Sequence, residues 1–124
     1  MTNKNGSARS ELVDAILKGM EDKKAADICH LDLQNIEHAV CDGFVICTGN
    51  SDTQVEAIAK SVQESVHKSL GEKPWHVEGM ANKTWVLIDF VNIVVHVFLP
   101  EDRAFYGLES LWADARITRF EPSA

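Results

Sequence analysis

Four residues, Thr48-Gly49-Asn50-Ser51, stand where the apolar run FVICT gives way to a helix-like stripe. A strand-to-helix junction of that kind turns several backbone N–H groups toward one spot, where they can hold an anion. Phosphoryl transfer would also need two or more carboxylates converging on a metal. Asp52 and Glu56 both fall on the following helix, and Asp89 stands alone, so no strand carries such a pair. The junction therefore reads first as a capped helix start, with Ser51 and Gln54 at capping-box spacing. A hydrolase needs a nucleophile beside a base. Ser51, Cys47 and His96 qualify by type, yet no nucleophile elbow or catalytic-cysteine signature surrounds them. The three cysteines, Cys29, Cys41 and Cys47, are odd in number and lack a CxxC, which speaks against a disulfide framework or a zinc site. Cys29 and His30 are neighbours on one strand and point to opposite faces, so they do not share a metal. No metal and no cofactor is expected.

The richer chemistry lies in the stretch 84–99, TWVLIDFVNIVVHVFL. It reads as two antiparallel strands joined by a tight turn at Phe90–Val91, with Ile88 opposite Ile93, Val86 opposite Val95 and Trp85 opposite His96. Alternation gives the ribbon two unlike faces. Val86, Ile88, Ile93, Val95 and Val97 make one purely aliphatic, which is a core. Trp85, Leu87, Asp89, Val94, His96 and Phe98 make the other, which mixes aromatic area with a carboxylate and an imidazole. That is the composition of a surface that binds a partner. Stacking on RNA bases would need a basic fringe, which is missing, and Asp89 shares the face, so little direct nucleic-acid binding is expected.

Around this ribbon the chain supplies the elements α β β α β β β α. Leu12, Ile16 and Met20, widened by Val13 and Leu17, predict a first helix from Arg9 or Ser10 to Asp22, with Ser10 as its cap. A strand over 26–33, a loop over 34–42 and a strand over 43–48 follow, the last apolar enough to be covered on both faces. Val55, Ile58, Ala59, Val62, Val66 and Leu70 form the stripe of a second helix over 52–70, closed by Gly71. A third strand over 75–78 precedes the ribbon. Pro100 ends the sheet, and 101–115 repeats Phe105, Leu108, Leu111 or Trp112, and Ala115 at helical spacing, divided at Gly107. This predicts an α/β domain: a small mixed sheet of about five strands packed with helices. A disordered tail is expected over 1–9, the domain over 10–116 and a C-terminal tail over 117–124.

With 124 residues, 45% of them hydrophobic, the chain makes one domain with a modest core. The start, MTNKNGSAR, has no apolar run and no segment is long enough to span a bilayer, so a cytoplasmic protein without membrane contact is expected. A net charge of −7 excludes a domain that gains affinity by neutralising phosphates, and suits a basic protein partner.

Three separated segments, DGFVICTGNS, TWVLIDF with IVVHVF, and RAFYGLESLWADAR, resemble in order the ribosomal silencing factor family, also called Iojap. The resemblance runs from about residue 9 to residue 116. It implies a fold similar to nucleotidyltransferases without their catalytic carboxylates, and no enzyme activity. It further implies binding to ribosomal protein L-fourteen on the large ribosomal subunit, at the face that meets the small subunit. Joining of the subunits is then blocked and translation silenced; organellar relatives take part in large-subunit assembly. The alternative is a nucleotidyltransferase-like enzyme using the loop 48–51. Residue by residue, Trp85, Asp89 and His96 match the family's hairpin. Arg103, Tyr106, Leu108, Glu109, Leu111, Trp112 and Asp114 match its C-terminal segment, and Thr48, Gly49 and Ser51 its strand-to-helix loop. At the turn this chain has Val91-Asn92 where the family has Gly-Asp. The mixed face supplies Trp85, Leu87, Asp89, Val94, His96 and Phe98 as expected partner-binding residues, and the resemblance adds Arg103, Tyr106 and Glu109. Trp85, Leu87 and Phe98 are expected to bury apolar area against the partner, and Asp89 and Glu109 to pair with its cations. Trp112 is read as core, while Arg103 and Tyr106 either meet the partner or anchor the last helix. A third reading is a self-pairing module, in which the same face forms a homodimer when the protein is free.

Overall fold

The computed structural model describes residues 4–120, with side chains from residue 9 onward. Its order is α1 (Lys4–Asp22), β1 (Ala26–Asp32), β2 (Gly43–Thr48), α2 (Asp52–Leu70), β3 (His76–Glu78), β4 (Trp85–Asp89), β5 (Ile93–Phe98), α3 (Pro100–Tyr106), α4 (Leu108–Leu111) and β6 (Arg116–Arg119). The six strands form one sheet in the order β3-β4-β5-β2-β1-β6. Only β2 and β5 run parallel; the other neighbours are antiparallel. The chain leaves β2, crosses through α2 to the far edge at β3, and meanders back through β4 to lay β5 beside β2. β2 and β5 are buried along their whole length, as suits sequences that are apolar but for Thr48 and His96.

The α1–α2 layer covers one face. Leu12, Ile16 and Met20 of α1 and Val55, Ile58, Val62 and Val66 of α2 pack on Val45, Val86, Ile88, Ile93, Val95 and Val97. The two helices approach closely at Gly19, where a Cβ would sit 2.7 Å from the Val62 Cα. Ser61 and Ser65 donate across the crossing to the Gly19 and Ala15 carbonyls, each at 2.7 Å.

Four expectations are corrected. The segment 4–9 is helical, so Ser10 lies inside α1 and does not cap it; residues 1–3 of the expected tail lie outside the described residues. The sheet has six strands, because 116–119 pairs with Cys29–Asp32 of β1, while residues 121–124 lie outside the described residues. A strand with one half-buried apolar residue, Ile117, among exposed neighbours carries no periodic signal. The second half of the C-terminal segment is shorter than its pattern, since α4 ends at Leu111.

The fourth correction is the hairpin register. Ile88 faces Val95, and Trp85 faces Phe98. The turn residues are Val91 and Asn92, one position later than expected, and the Phe90 N–H donates to the Ile93 carbonyl at 2.9 Å. Moving the turn by one residue moves the pairing by two, and an even shift keeps every side chain on its face. Both faces therefore keep their expected membership.

Val91 itself has φ +77°, and the Asn92 N–H donates to the Phe90 carbonyl across it, closing a γ-turn. A β-branched residue pays heavily for that conformation, of order 1–3 kcal/mol. Glycine adopts it freely, at some entropic cost. Val91→Gly is expected to stabilise the domain by about 1 kcal/mol, read as a rise in the urea midpoint at unchanged slope. An unchanged or lower midpoint would show that the turn is unstrained.

Candidate functional site

The second face of the sheet is only partly roofed. Cys29, Leu31, Phe44, Ile46, Val94 and Phe98 form its floor. α3 and α4 cross one side, with Leu108, Trp112 and Ala115 packed on that floor. Gly107, with φ +55°, breaks the two helices apart and re-phases the side chains that follow. Leu108 and Trp112 then turn inward. Phe105, expected in the same buried stripe, turns outward at 82% exposure, and of the alternatives Leu111 and Trp112 it is Leu111 that turns outward, at 71%. The stripe misplaced Phe105 because its spacing was counted straight through Gly107, where the helix direction changes.

Beside the roof, aromatic rings form a chain. Trp85 stacks on Phe98 with centroids 5.0 Å apart and meets Tyr106 at 4.5 Å. Tyr106 meets Phe105 edge-on at 5.0 Å. Below them His96 packs against the Phe44 edge at 4.8 Å, and Phe44 against Trp112 at 6.0 Å. Trp85, Leu87 and Asp89 are half-exposed, and Tyr106 is 46% exposed. Val94, His96 and Phe98 are not surface residues: their exposures are 8%, 4% and 1%. Expecting them to touch a partner took the whole mixed face as open, whereas Trp85 and Tyr106 close over Phe98 and His96, and Val94 is buried in the cluster on which Leu108 and Trp112 pack. The Trp85 indole Nε1–H donates to His96 Nδ1 at 3.0 Å. Burial pushes the His96 imidazole down to about 4, so it is neutral at pH 7. Asp89 Oδ1 accepts from the Val91 N–H at 2.7 Å, and so serves the turn as well as the surface.

Arg103 and Glu109 hold each other. Arg103 Nε and Nη2 donate to the two oxygens of Glu109 at 3.0 and 3.1 Å, a bidentate pair. Arg103 Nη1 donates to the Asp27 carbonyl at 2.7 Å and to Thr48 Oγ1 at 2.9 Å. Arg119 Nη1 donates to the second Glu109 oxygen at 3.3 Å. Hydrogen bonding from Arg103 holds the Glu109 carboxyl below the usual range, against a smaller effect of burial. Glu109, expected to pair with a partner's cation, thus already holds Arg103 and Arg119 within the chain, and Arg103 anchors the helices to the sheet. This clamp ties α3 and α4 to the ends of β1 and β2. Arg119, a further member, was missed with the strand that carries it.

At the junction 48–51 the polar groups are already engaged. Ser51 Oγ accepts from the Gln54 N–H at 3.1 Å, and Gln54 Oε1 accepts from the Asn50 N–H at 2.7 Å. Gln54 Nε2 donates on to the Lys23 and Lys24 carbonyls, at 3.1 and 3.2 Å, sealing the end of α1. Gly49 is buried, and a Cβ there would meet Val55 Cγ2 at 2.9 Å. The loop is a helix cap and a packing junction. Among the described residues no group of three His, Cys, Asp or Glu side chains gathers that could hold a metal.

Comparison with known proteins bears on what this face is for. The family described as "Ribosomal silencing factor during starvation" matches residues 6–123. The ribosomal silencing factor RsfS of Bacillus subtilis is 44% identical over 95 residues, covering 77% of this chain and 79% of that protein. That of Halalkalibacterium halodurans is 39% identical over 114 residues, covering 92% and 96%. The chain belongs to the ribosomal silencing factor family. The fold is shared as well. A crystal structure of a protein from Chromobacterium violaceum, 34% identical, superposes with a TM-score of 0.78 and covers 84% of this chain and 85% of that one. One from Bacillus halodurans, 37% identical, gives 0.74 and covers 90% and 98%. Among eukaryotic relatives is a mouse protein named for mitochondrial assembly of the ribosomal large subunit, 31% identical, of which this chain spans 44%. In this member of the family, no helix among the described residues is long and apolar enough to cross a membrane.

Proposed function

We propose that this silencing factor, in the cytoplasm, docks on ribosomal protein L-fourteen of the large ribosomal subunit and blocks subunit joining by occupying space, with no enzymatic step. The observation that carries this reading is the aromatic ridge of Trp85, Tyr106 and Phe105 lying open on a domain of net charge −7. Exposed aromatics supply the anchors of an interface, and an acidic field speeds encounter with a basic ribosomal protein. Leu87 and Asp89, on the same face of β4 as Trp85, extend the same surface. A body with a radius of gyration of about 14 Å is large enough to hold apart two surfaces that normally touch. Against the enzyme alternative stand the Gly49 and Asn50 N–H groups, already donated to the Phe98 carbonyl and Gln54 Oε1, and the absence among the described residues of a His, Cys, Asp and Glu cluster that could hold a metal.

Trp85→Ala is expected to weaken co-sedimentation with isolated large subunits by roughly thirtyfold, the loss of about 2 kcal/mol that a central interface tryptophan carries. Because Trp85 also packs on Phe98, Tyr106→Ala is the companion variant, and both are compared with wild type for retained circular dichroism. Two folded variants that sediment as wild type does would overturn the docking face. Inhibition of subunit reassociation should be stoichiometric and independent of nucleotide; a requirement for nucleotide or turnover would favour the enzyme reading. Gel filtration over a concentration series separates a second copy from the ribosomal partner as occupant of the face.

A further inference from the structure

We infer that His96 is a positioning residue for the docking face: it fixes the orientation of Trp85 from inside the protein, so that a partner meets the indole as apolar surface. This rests on the docking reading above and goes beyond it by assigning a role to a buried group that no partner can reach. His96 sits on β5 between Phe44 and Phe98, with centroid distances of 4.8 and 6.0 Å, and is 4% exposed. Its Nδ1 accepts the Trp85 indole N–H at 3.0 Å, which places the imidazole proton on Nε2. That Nε2 is buried and finds no hydrogen-bond partner among the described residues.

A buried N–H without a partner lowers stability. An apolar side chain of similar size would fill the same space without that penalty. What it would lack is an acceptor for Trp85. The Phe98 ring beneath and the Tyr106 ring alongside restrict the indole by packing alone. The hydrogen bond to His96 selects one of the two ring orientations such a slot admits. It also occupies the only polar atom of the indole, so the partner gains from burying carbon there and not from offering a hydrogen-bond acceptor. Holding a large side chain in its bound rotamer before association removes an ordering cost, and losing that hold should weaken binding about three- to tenfold.

Three variants separate positioning from mere packing. The amide oxygen introduced by His96→Asn would keep an acceptor near the Nδ1 position, whereas His96→Phe and His96→Leu remove it. The probes are the Trp85 indole N–H resonance, identified by its loss in Trp85→Phe, and co-sedimentation with isolated large subunits. His96→Asn is expected to keep the indole N–H protected from exchange and the affinity within about twofold of wild type. His96→Phe, or His96→Leu should the former not fold, is expected to expose the N–H and weaken binding about three- to tenfold, with a melting temperature no lower than that of His96→Asn. Wild-type affinity or a still-protected indole N–H in the folded apolar variant would overturn the inference. Wild-type protein that does not sediment with large subunits would overturn the docking reading itself, a result seen before any variant is compared.

Discussion

Replacing Arg103 by alanine is expected to lower the unfolding free energy by about 3 kcal/mol, at the low end of what removal of one partner from a buried ion pair costs. The low end applies because the two side chains are 12% and 22% exposed and solvent screens them in part. Truncation takes the bidentate partner from Glu109 and a donor from both the Asp27 carbonyl and the buried Thr48 hydroxyl. Lysine does not rescue this, since one ammonium cannot span both carboxylate oxygens and the two further acceptors. α3 and α4 contribute no fully buried residue, so the clamp carries much of their attachment to the sheet. The measurement is urea unfolding together with hydrogen exchange over 100–112, which should speed up in Arg103→Ala. In a double-mutant cycle, Arg103→Ala with Glu109→Ala should lose less than the sum of the single changes. A fall under about 1 kcal/mol, the scale of a screened surface pair, with unchanged exchange would show that packing alone holds the helices. If the docking reading is right, the same variant also loses large-subunit binding, because Tyr106 and Phe105 move with α3.

Acidification from pH 7 to pH 4 is expected to remove about 3 kcal/mol of stability through His96 alone. The sign follows from its depressed folded value, about 4 against 6.5 in the unfolded chain. Above pH 6.5 both states are neutral and the full stability is present. Between 6.5 and 4 the unfolded chain binds a proton that the folded one refuses, so stability falls with pH at up to about 1.4 kcal/mol per unit. Below 4 both states are protonated and this contribution levels off. Burial lowers His30 as well, which adds to the loss in the same window. Glu109, held low mainly by Arg103, adds a further loss below the ordinary glutamate range, where the unfolded chain's carboxyl takes up a proton that the folded one still refuses. Urea unfolding of wild type and His96→Leu between pH 7 and pH 4 tests this: the variant's curve should be flatter across roughly 4.5–6.5. Parallel curves would show that His96 is not buried neutral.

Much of the architecture was legible in the chain because it rests on local pattern. The stripe from Val55 to Val66 with Ser51 and Gly71 at its ends set α2 to the residue, and FVICT set β2. The alternation along 84–99 set two faces that survive a turn misplaced by one residue, since the pairing error it causes is even. The family was legible too, because three segments in order are far more specific than any one. What the chain alone determined was therefore the elements that carry a periodic pattern, which face the ribbon strands bury, and which family they compose, while β6 stayed hidden in an exposed stretch. Tertiary structure decided which of the mixed-face residues remain outside. Val94, His96 and Phe98 share a face with Trp85 and Leu87, yet lie below the surface because Trp85 and Tyr106 stack over Phe98, Trp85 bonds His96, and Leu108 and Trp112 pack on the cluster that holds Val94. Arg103 and Glu109 look like free charges until the fold brings Asp27, Thr48 and Arg119 beside them from distant points in the chain. Periodicity reports the direction of a side chain relative to its own element; what covers it depends on contacts between elements far apart in sequence, and those form only when the whole domain closes.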